Sequence, residues 1–368
     1  MTPPRVLIAG GGTGGHIIPA LTVAHALVQR HRAEVLFVGT ARGLESRLVP
    51  AEGFRLELIQ VGPLKNVSLA TRARTLLDLP RSVFDCRRLI RAFSPSVVFG
   101  VGGYASGPGM AAALMLKVPT MVFEPNAMPG FANRLVGKRV NAAAVNFASA
   151  ARWFRNAEVT GIPVRPEFFR PHEAPAYPPQ LLVFGGSQGA GIFNRVYPRI
   201  APALLDAVPG LTIVHQSGAR HLESTRAAYQ QCGADPARWT VQPFIDDMPA
   251  QFARSTLVMA RGGASTVAEL AAAGKPSLLV PFAAAADDHQ TRNAEEMVKA
   301  GAAVMLRESE LEEPNRLFET LTTLLAATDR LAVMSAAARP LAHPDAAVQI
   351  ADRLAALSRS IRTSSTPN

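Results

Sequence analysis

Two stretches of this chain are cut to one plan, and that plan limits what the chain can fold into. Arg5-Val6-Leu7-Ile8-Ala9 is a short apolar, β-branched run with the length of a buried strand. Gly10-Gly11-Gly12-Thr13-Gly14-Gly15-His16 follows it directly. Residues 17–30 then read as a helix, with Leu21, Ala24, Leu27 and Val28 on one face and Pro19 in its first turn. The same succession restarts at Leu181-Leu182-Val183-Phe184, turns through Gly185-Gly186-Ser187-Gln188-Gly189-Ala190 and enters another helix. Strand, glycine-rich turn and helix open a parallel α/β sheet. Two such openings in 368 residues predict two doubly wound α/β domains.

Further strands are predicted at 35–38, 97–100 and 120–123, then at 212–215, 257–259 and 277–280. Their C-terminal ends carry the polar and glycine-rich segments, which is where open parallel sheets bind ligands. Between the halves, residues 161–180 hold Pro163, Pro166, Pro171, Pro175, Pro178 and Pro179, which suit a stiff, extended linker. The expected domains are 1–163 and 164–343. A last amphipathic helix at about 346–357 has Val348, Ala351 and Leu354 along one side, and a polar tail at 359–368 is expected to be disordered. Residues 97–116 are uncharged and about as long as a membrane span, but Gly100, Gly102, Gly103, Gly107, Pro108 and Gly109 divide them into a strand, a turn and a buried helix. No signal peptide is expected, since the first strand begins at Arg5.

The net charge of +10 comes mostly from arginine. It fits nucleic acid, an anionic membrane, or no local partner. The spread of the charge and an aromatic content of 6% argue against nucleic acid. Cys86 and Cys232 match no metal or redox spacing and fit a reducing compartment.

The loops are the candidate chemistry. Gly10, Gly12 and Gly15 satisfy G-x-G-x-x-G, but the strand after them ends in Gly39-Thr40 without the acid that would hold a dinucleotide ribose. That counts against an NAD-linked oxidoreductase. Backbone N–H groups at a helix start suit an anion, and His16 adds a proton acceptor beside them. In the second half Ser187 replaces the middle glycine, and a hydroxyl among N–H groups suits a diphosphate. Residues 261–269 form a third anion-type loop, in which Glu269 either caps the helix with Thr266 or accepts hydrogen bonds from a sugar's paired hydroxyls. Asp287-Asp288-His289-Gln290 suits sugar hydroxyls, a solvated loop, or a metal held by Asp287, Asp288 and His289, and the lack of a partner motif beside the adjacent acids argues against the metal. Residues 69–93 set Leu76, Leu79, Val83 and Phe84 among Arg81, Arg88 and further arginines, with Pro80 bending or dividing the segment. This suits either a helix packed on a core or a surface contact with anionic lipid.

Taken together, Gly11-Gly12-Thr13-Gly14-Gly15-His16, Gly102-Gly103-Tyr104-Ala105-Ser106-Gly107-Pro108, Gly185-Gly186-Ser187-Gln188-Gly189-Ala190, Phe244-Ile245-Asp246-Asp247-Met248, Ala268-Glu269-Leu270 and Asp288-His289-Gln290 occur in the order seen in the MurG family, and the chain resembles that family over nearly its whole length. The resemblance implies a GT-B fold, two Rossmann-like domains facing a cleft, with the last helix (344–358) packing back on the first domain. It implies an inverting transfer of GlcNAc from UDP-GlcNAc to undecaprenyl-diphospho-MurNAc-pentapeptide, lipid I to lipid II in peptidoglycan synthesis. The protein would then be peripheral, on the cytoplasmic face of the inner membrane, with anionic lipid as a partner. No cofactor is required for the chemistry, although a divalent cation is compatible with it.

Carried over motif by motif, Ser187 and Gln188 would meet the diphosphate, and Phe244 and Ile245 would border the uracil, Ile245 through its backbone. Ala264, Ser265, Thr266, Val267, Ala268 and Glu269 would line the diphosphate and ribose, and Gln290 would hold the GlcNAc hydroxyls. Thr13, Gly14, Gly15, Asn126 and Arg165 match further donor-contacting positions. Leu76, Leu79, Val83, Phe84, Arg81 and Arg88 fall in the family's membrane patch. His16 is the expected base, and Glu124 is expected to orient the acceptor or that base. Phe123, Pro125, Ile162 and Gly262 depart from common family residues, while Glu124, Asn126 and Arg165 stay in place. Another GT-B glycolipid glycosyltransferase or a UDP-sugar epimerase is the nearest alternative on the same fold.

Overall fold

The computed structural model describes residues 2–62, 69–170, 178–285, 288–313 and 315–360, with the side chains of 69–77 and 360 outside that description. Two compact units emerge: Met1–Val164 with His343–Asn368, and Arg165–Ala342.

The first unit is built on a seven-stranded sheet in the order β3-β2-β1-β4-β5-β6-β7. Its strands are β1 (Arg5–Gly10), β2 (Glu34–Gly39), β3 (Arg55–Leu58), β4 (Val97–Gly102), β5 (Thr120–Glu124), β6 (Ala142–Val145) and β7 (Ala157–Val159). All neighbouring pairs are parallel. Val6 to Ala9 and Val97 to Phe99 are all buried, as strands covered by helices on both faces must be. The strand order reverses between β1 and β4, so the two glycine-rich loops that follow these strands lie side by side.

The helix after β1 runs Gly14–His31 rather than 17–30, because Gly14 and Gly15 enter it, and Pro19 therefore sits beyond the first turn. Leu21, Ala24 and Leu27 are buried on its inner face, but Val28 points outward. Helix Leu69–Phe93 is continuous through Pro80, so the proline does not divide it. Past the proline, Ser82 donates its hydroxyl to the carbonyls of Asp78 (2.9 Å) and Gln60 (2.5 Å), which fastens that turn in place. Helix Ala346–Ser360 packs in this unit, with Arg30 and His31 both reaching Asp352. Its buried seam is Ala346, Ile350, Ala351, Leu354 and Ala355, and Val348 falls off that seam.

The second unit repeats the plan with six parallel strands in the order β10-β9-β8-β11-β12-β13. These are β8 (Gln180–Phe184), β9 (Thr212–Gln216), β10 (Trp239–Gln242), β11 (Leu257–Ala260), β12 (Ser277–Leu279) and β13 (Ala303–Met305). The order reverses between β8 and β11, so the loops at 185–190 and 261–263 are neighbours. The proline-rich stretch is not wholly extended. Pro166–Phe169 forms a 3₁₀ turn whose Phe168 is buried edge-on against Phe252, so this part docks on the second unit's core. Residues 171–177, and the tail at 361–368, lie outside the described residues.

Candidate active site

In the first unit, the loops after β1 and β4 and the turn after β2 enclose a cavity of about 890 Å³. Gly11, Gly12, Thr13 and His16 form one wall, Thr40, Ala41, Arg42 and Gly43 another, and Gly103 and Tyr104 belong to the neighbouring loop. The Gly11 N–H donates to the Gly102 carbonyl (3.2 Å). A Cβ on Gly103 would overlap the Gly11 backbone, so these two loops can approach only as glycines. The His16 ring lies against Gly102, and its Nδ1 shares a hydrogen with the Thr13 hydroxyl at 3.1 Å. If Nδ1 donates that hydrogen, Nε2 is the nitrogen able to take a proton. His16 and Asp78 are the imidazole and the carboxyl in the cavity lining. Thr13, Gly14 and Gly15 bring their N–H groups to the helix start, where no intrahelical acceptor exists.

Glu124 is not open to a substrate. It is buried, and Oε1 accepts from the Asn126 N–H (3.0 Å) and Asn126 Nδ2 (3.1 Å) while Oε2 accepts from the Gly130 N–H and Asn133 Nδ2 (both 3.0 Å). Burial raises its pKa, and these four donors hold it back. The sequence leads Glu124 to be expected to orient the acceptor or the base; with both oxygens taken by these four donors, it shapes the loop that presents Asn126.

In the second unit, Ser187 and Gln188 are exposed in the loop after β8, as ligand-facing groups should be. Helix Ala264–Ala273 starts beside them, with Gly263 as its N-cap. Thr266 is therefore already inside the helix and Glu269 lies a turn further on, so the pair is not a capping box. Ala264, Ser265 and Thr266 supply first-turn N–H groups, and the Ser265 hydroxyl is buried without a partner. Val267 faces the core and its N–H donates to Gly263, so it offers a ligand no side chain and no donor. Ala268 and Glu269 are partly exposed. Desolvation pushes Glu269 up to about 7 and nearby Arg165 pulls it down, so these two expected site residues meet in one place.

The loop after β10 exposes Phe244 and buries Ile245, whose N–H donates to Gln216 Oε1 at 2.8 Å. Only the Ile245 carbonyl is left for a base. Gln290 Oε1 accepts from the Phe282 N–H (2.9 Å), which turns its amide NH₂ toward any ligand and makes it a donor to hydroxyl oxygens. Arg261 holds this loop: it donates to the carbonyls of Val280 (3.2 Å) and Pro281 (3.3 Å) and pairs with Glu308 at 2.6 Å. Glu308 also accepts from the Ala283 N–H at 3.0 Å, and Arg261 lowers its pKa.

Sequence reading missed Gln216, Arg261 and Glu308. Gln216 stands at a strand end, a position that signals ligand contact, and it bridges the Gly186 carbonyl and Ile245. Glu308 has no local motif. Asp287 lies outside the described residues, and the Asp288 carboxylate accepts from the Thr291 hydroxyl at 2.6 Å. Among the described residues, no three His, Cys, Asp or Glu side chains converge as metal ligands.

On helix Leu69–Phe93, Arg81, Phe84 and Arg88 form an exposed face, while Cys86, Ile90 and Phe93 enter the core. Leu79 and Val83 are both half-buried, and Val83 packs against the core. The Leu76 side chain lies outside the described residues. No helix among them is long and apolar enough to cross a membrane.

Comparison with known proteins places this geometry in a lineage. The N-terminal domain model of glycosyltransferase family 28 matches residues 6–145, and its C-terminal domain model matches residues 180–350. A UDP-N-acetylglucosamine–N-acetylmuramyl-(pentapeptide) pyrophosphoryl-undecaprenol N-acetylglucosamine transferase of Solibacter usitatus is 46% identical over 361 residues, covering 97% of each chain. The protein of that name from Myxococcus xanthus is 42% identical, covering 95% of this chain and 91% of its own. The crystal structure of Acinetobacter baumannii MurG superposes with a TM-score of 0.77 at 30% identity, over 96% of this chain and all of that one. A putative UDP-N-acetylglucosamine 2-epimerase of Listeria monocytogenes, at 14% identity and a TM-score of 0.70, shares the fold alone.

Proposed function

The chain belongs to glycosyltransferase family 28, in its MurG line with the GT-B fold, and from that membership we infer what its loops are for. It is an N-acetylglucosaminyltransferase that moves GlcNAc from UDP-GlcNAc to the lipid-linked MurNAc-pentapeptide of peptidoglycan synthesis. One observation carries the donor assignment: at the second unit's switch point, a buried unpartnered Ser265 hydroxyl and a poorly solvated Glu269 stand in the first two turns of one helix.

In the proposed mechanism, first-turn N–H groups at 264–266, the Ser265 hydroxyl and Ser187 take the diphosphate as it departs. Arg165 adds positive charge, and Glu269 accepts from the ribose hydroxyls. Phe244 flanks the uracil, the Ile245 carbonyl accepts from it, and the Gln290 NH₂ donates to the sugar. An in-line displacement that inverts the anomeric carbon needs the acceptor hydroxyl deprotonated as the new bond forms, and His16 takes that proton. The acceptor lies in the cavity beside His16, and the N–H groups of Thr13, Gly14 and Gly15, which the resemblance assigns to the donor, go to the acceptor's anionic group instead. No step requires a metal ion. A divalent cation would supply charge to the donor's own phosphates, and activity with and without chelator tests this.

The acceptor's lipid chain is anchored in a bilayer, so the enzyme meets it at the surface. Phe84 flanked by Arg81 and Arg88 suits the anionic cytoplasmic leaflet of the inner membrane. The deciding experiment incubates the enzyme with labelled UDP-GlcNAc and lipid-linked muramoyl-pentapeptide. Labelled disaccharide lipid is expected, and its absence beside an active control enzyme refutes the assignment.

A further inference from the structure

A carboxylate with no part in the mechanism sits directly beneath the first glycine-rich loop. Glu45, the first residue of helix Glu45–Ala51, is buried. Its Oε2 accepts from the Gly12 N–H at 2.6 Å, and its Oε1 accepts from the N–H and the hydroxyl of Thr40, both at 2.9 Å. The Leu44 N–H returns a bond to the Gly12 carbonyl at 3.3 Å, so Gly12 is held on both sides.

Three glycines from three segments make room for this one group. A Cβ on Gly11, in the loop after β1, would overlap the Glu45 carboxyl. A Cβ on Gly43, in the turn beyond β2, would do the same, and one on Gly39, at the end of β2, would overlap the Glu45 Cγ. Gly12 differs: a Cβ there meets nothing within 4 Å. Gly11, in the loop that the sequence marks as an anion site, thus also serves to admit a carboxylate.

That changes what the loop offers. The Gly12 N–H is spent on Glu45, so the loop's remaining donors are those of Thr13, Gly14 and Gly15 at the helix start. The same carboxyl joins the Gly11–His16 wall of the cavity to the Thr40–Gly43 wall. We propose that Glu45 is a positioning residue for acceptor transfer, a clamp that fixes where Thr13 and His16 stand. This rests on the acceptor occupying that cavity.

The test uses the full-length enzyme and two variants. Glu45→Gln keeps the shape but turns an NH₂ toward either Gly12 or Thr40, both of which are donors. Glu45→Asp keeps the charge but is too short to reach both. Each is expected to lower kcat/KM for the lipid-linked acceptor about 10- to 100-fold, the scale of a misplaced reacting group. The Kd for UDP-GlcNAc should stay within about twofold. Hydrogen exchange read at the Gly12 amide should quicken in both variants. Acceptor kcat/KM that is unchanged or improved in Glu45→Gln overturns the clamp; improvement would mean that the carboxylate only repels the acceptor's anion. A fall in kcat with every KM untouched and with Gly12 exchange at the parent's rate also overturns it, since that marks loss of folded enzyme rather than a displaced loop. If the parent enzyme itself fails to transfer, the function is refuted, and Gly12 exchange still decides whether Glu45 holds the loop: no quickening refutes the clamp.

Discussion

Glu269→Gln separates the cost of a buried charge from its use. The side chain makes no ion pair or hydrogen bond among the described residues, and desolvation lifts its pKa from 4.5 to about 7. That rise corresponds to about 3 kcal/mol against the carboxylate form, and partial exposure to solvent reduces it to roughly 1–2 kcal/mol. The native state keeps the proton that the unfolded chain releases above 4.5, so stability falls as pH rises from about 4.5 to about 7 and is level beyond. The glutamine variant removes that penalty. At pH 8 its Tm should exceed the parent's by about 3–6 °C.

Donor binding should move the other way. The ionised carboxylate accepts from the ribose hydroxyls, so the parent's affinity for UDP-GlcNAc should strengthen as pH rises from 6 through about 7 to 8. The donor's diphosphate is a diester and does not titrate in this window. An amide in place of the carboxylate forfeits about 1–2 kcal/mol, roughly tenfold in Kd, and flattens the pH dependence. Calorimetric titration at pH 6, 7 and 8, with scanning calorimetry on the same samples, reads both effects. A glutamine variant that keeps the parent's pH dependence, or binds the donor equally well at pH 8, refutes the placement of Glu269 on the ribose.

Other perturbations probe the remaining parts. His16→Ala should lower kcat by about 10²–10⁴ in steady-state transfer assays; a loss confined to acceptor KM would move the base elsewhere, with Asp78 next in the cavity wall. Gly43→Ala forces a methyl onto the Glu45 carboxyl and should cost about 1–3 kcal/mol in chemical denaturation, whereas Gly107→Ala, whose Cβ meets open space, should be neutral or mildly stabilising. Equal stability of the two variants would contradict the packing described. Phe84→Ser with Arg81→Glu and Arg88→Glu should abolish salt-sensitive sedimentation with anionic vesicles while transfer to a short-chain soluble acceptor persists. Vesicle binding unchanged by the triple substitution would remove this face as the membrane contact.

The fold was legible because its signals are local. Buried parallel strands announce themselves as short apolar runs, and the glycines at Gly10 to Gly15 and at Gly185 to Gly189 mark where strand becomes helix. What escaped was set by neighbours distant in sequence. Val28 looks as apolar as Leu27, but only the packing geometry decides which of the two faces inward. The spacing of Thr266 and Glu269 reads equally well as a cap or as a helical turn, and the extended backbone of Gly263 settles it by starting the helix earlier. Glu308 meets Arg261 across 47 residues, and Glu45 meets Gly12 across 33, so no window of sequence holds both partners.

The three glutamates beside these loops show why residue type alone misleads. Glu45 is met by three donors and Glu124 by four, all from the protein's own backbone and side chains. Buried carboxylates supplied in this way stay in place and build the loops around them; using either as a base would leave several N–H groups unpaired. Glu269 is poorly solvated but receives no such bonds, and only Arg165 moderates its charge. Its oxygens become satisfied when hydroxyl donors arrive from outside, which is what a ribose brings. In sequence all three are acids at the edge of a glycine-rich or strand-end segment. The count of donors already committed to each carboxylate distinguishes architecture from binding site, and it leaves the proton transfer of the proposed reaction to His16 rather than Glu124.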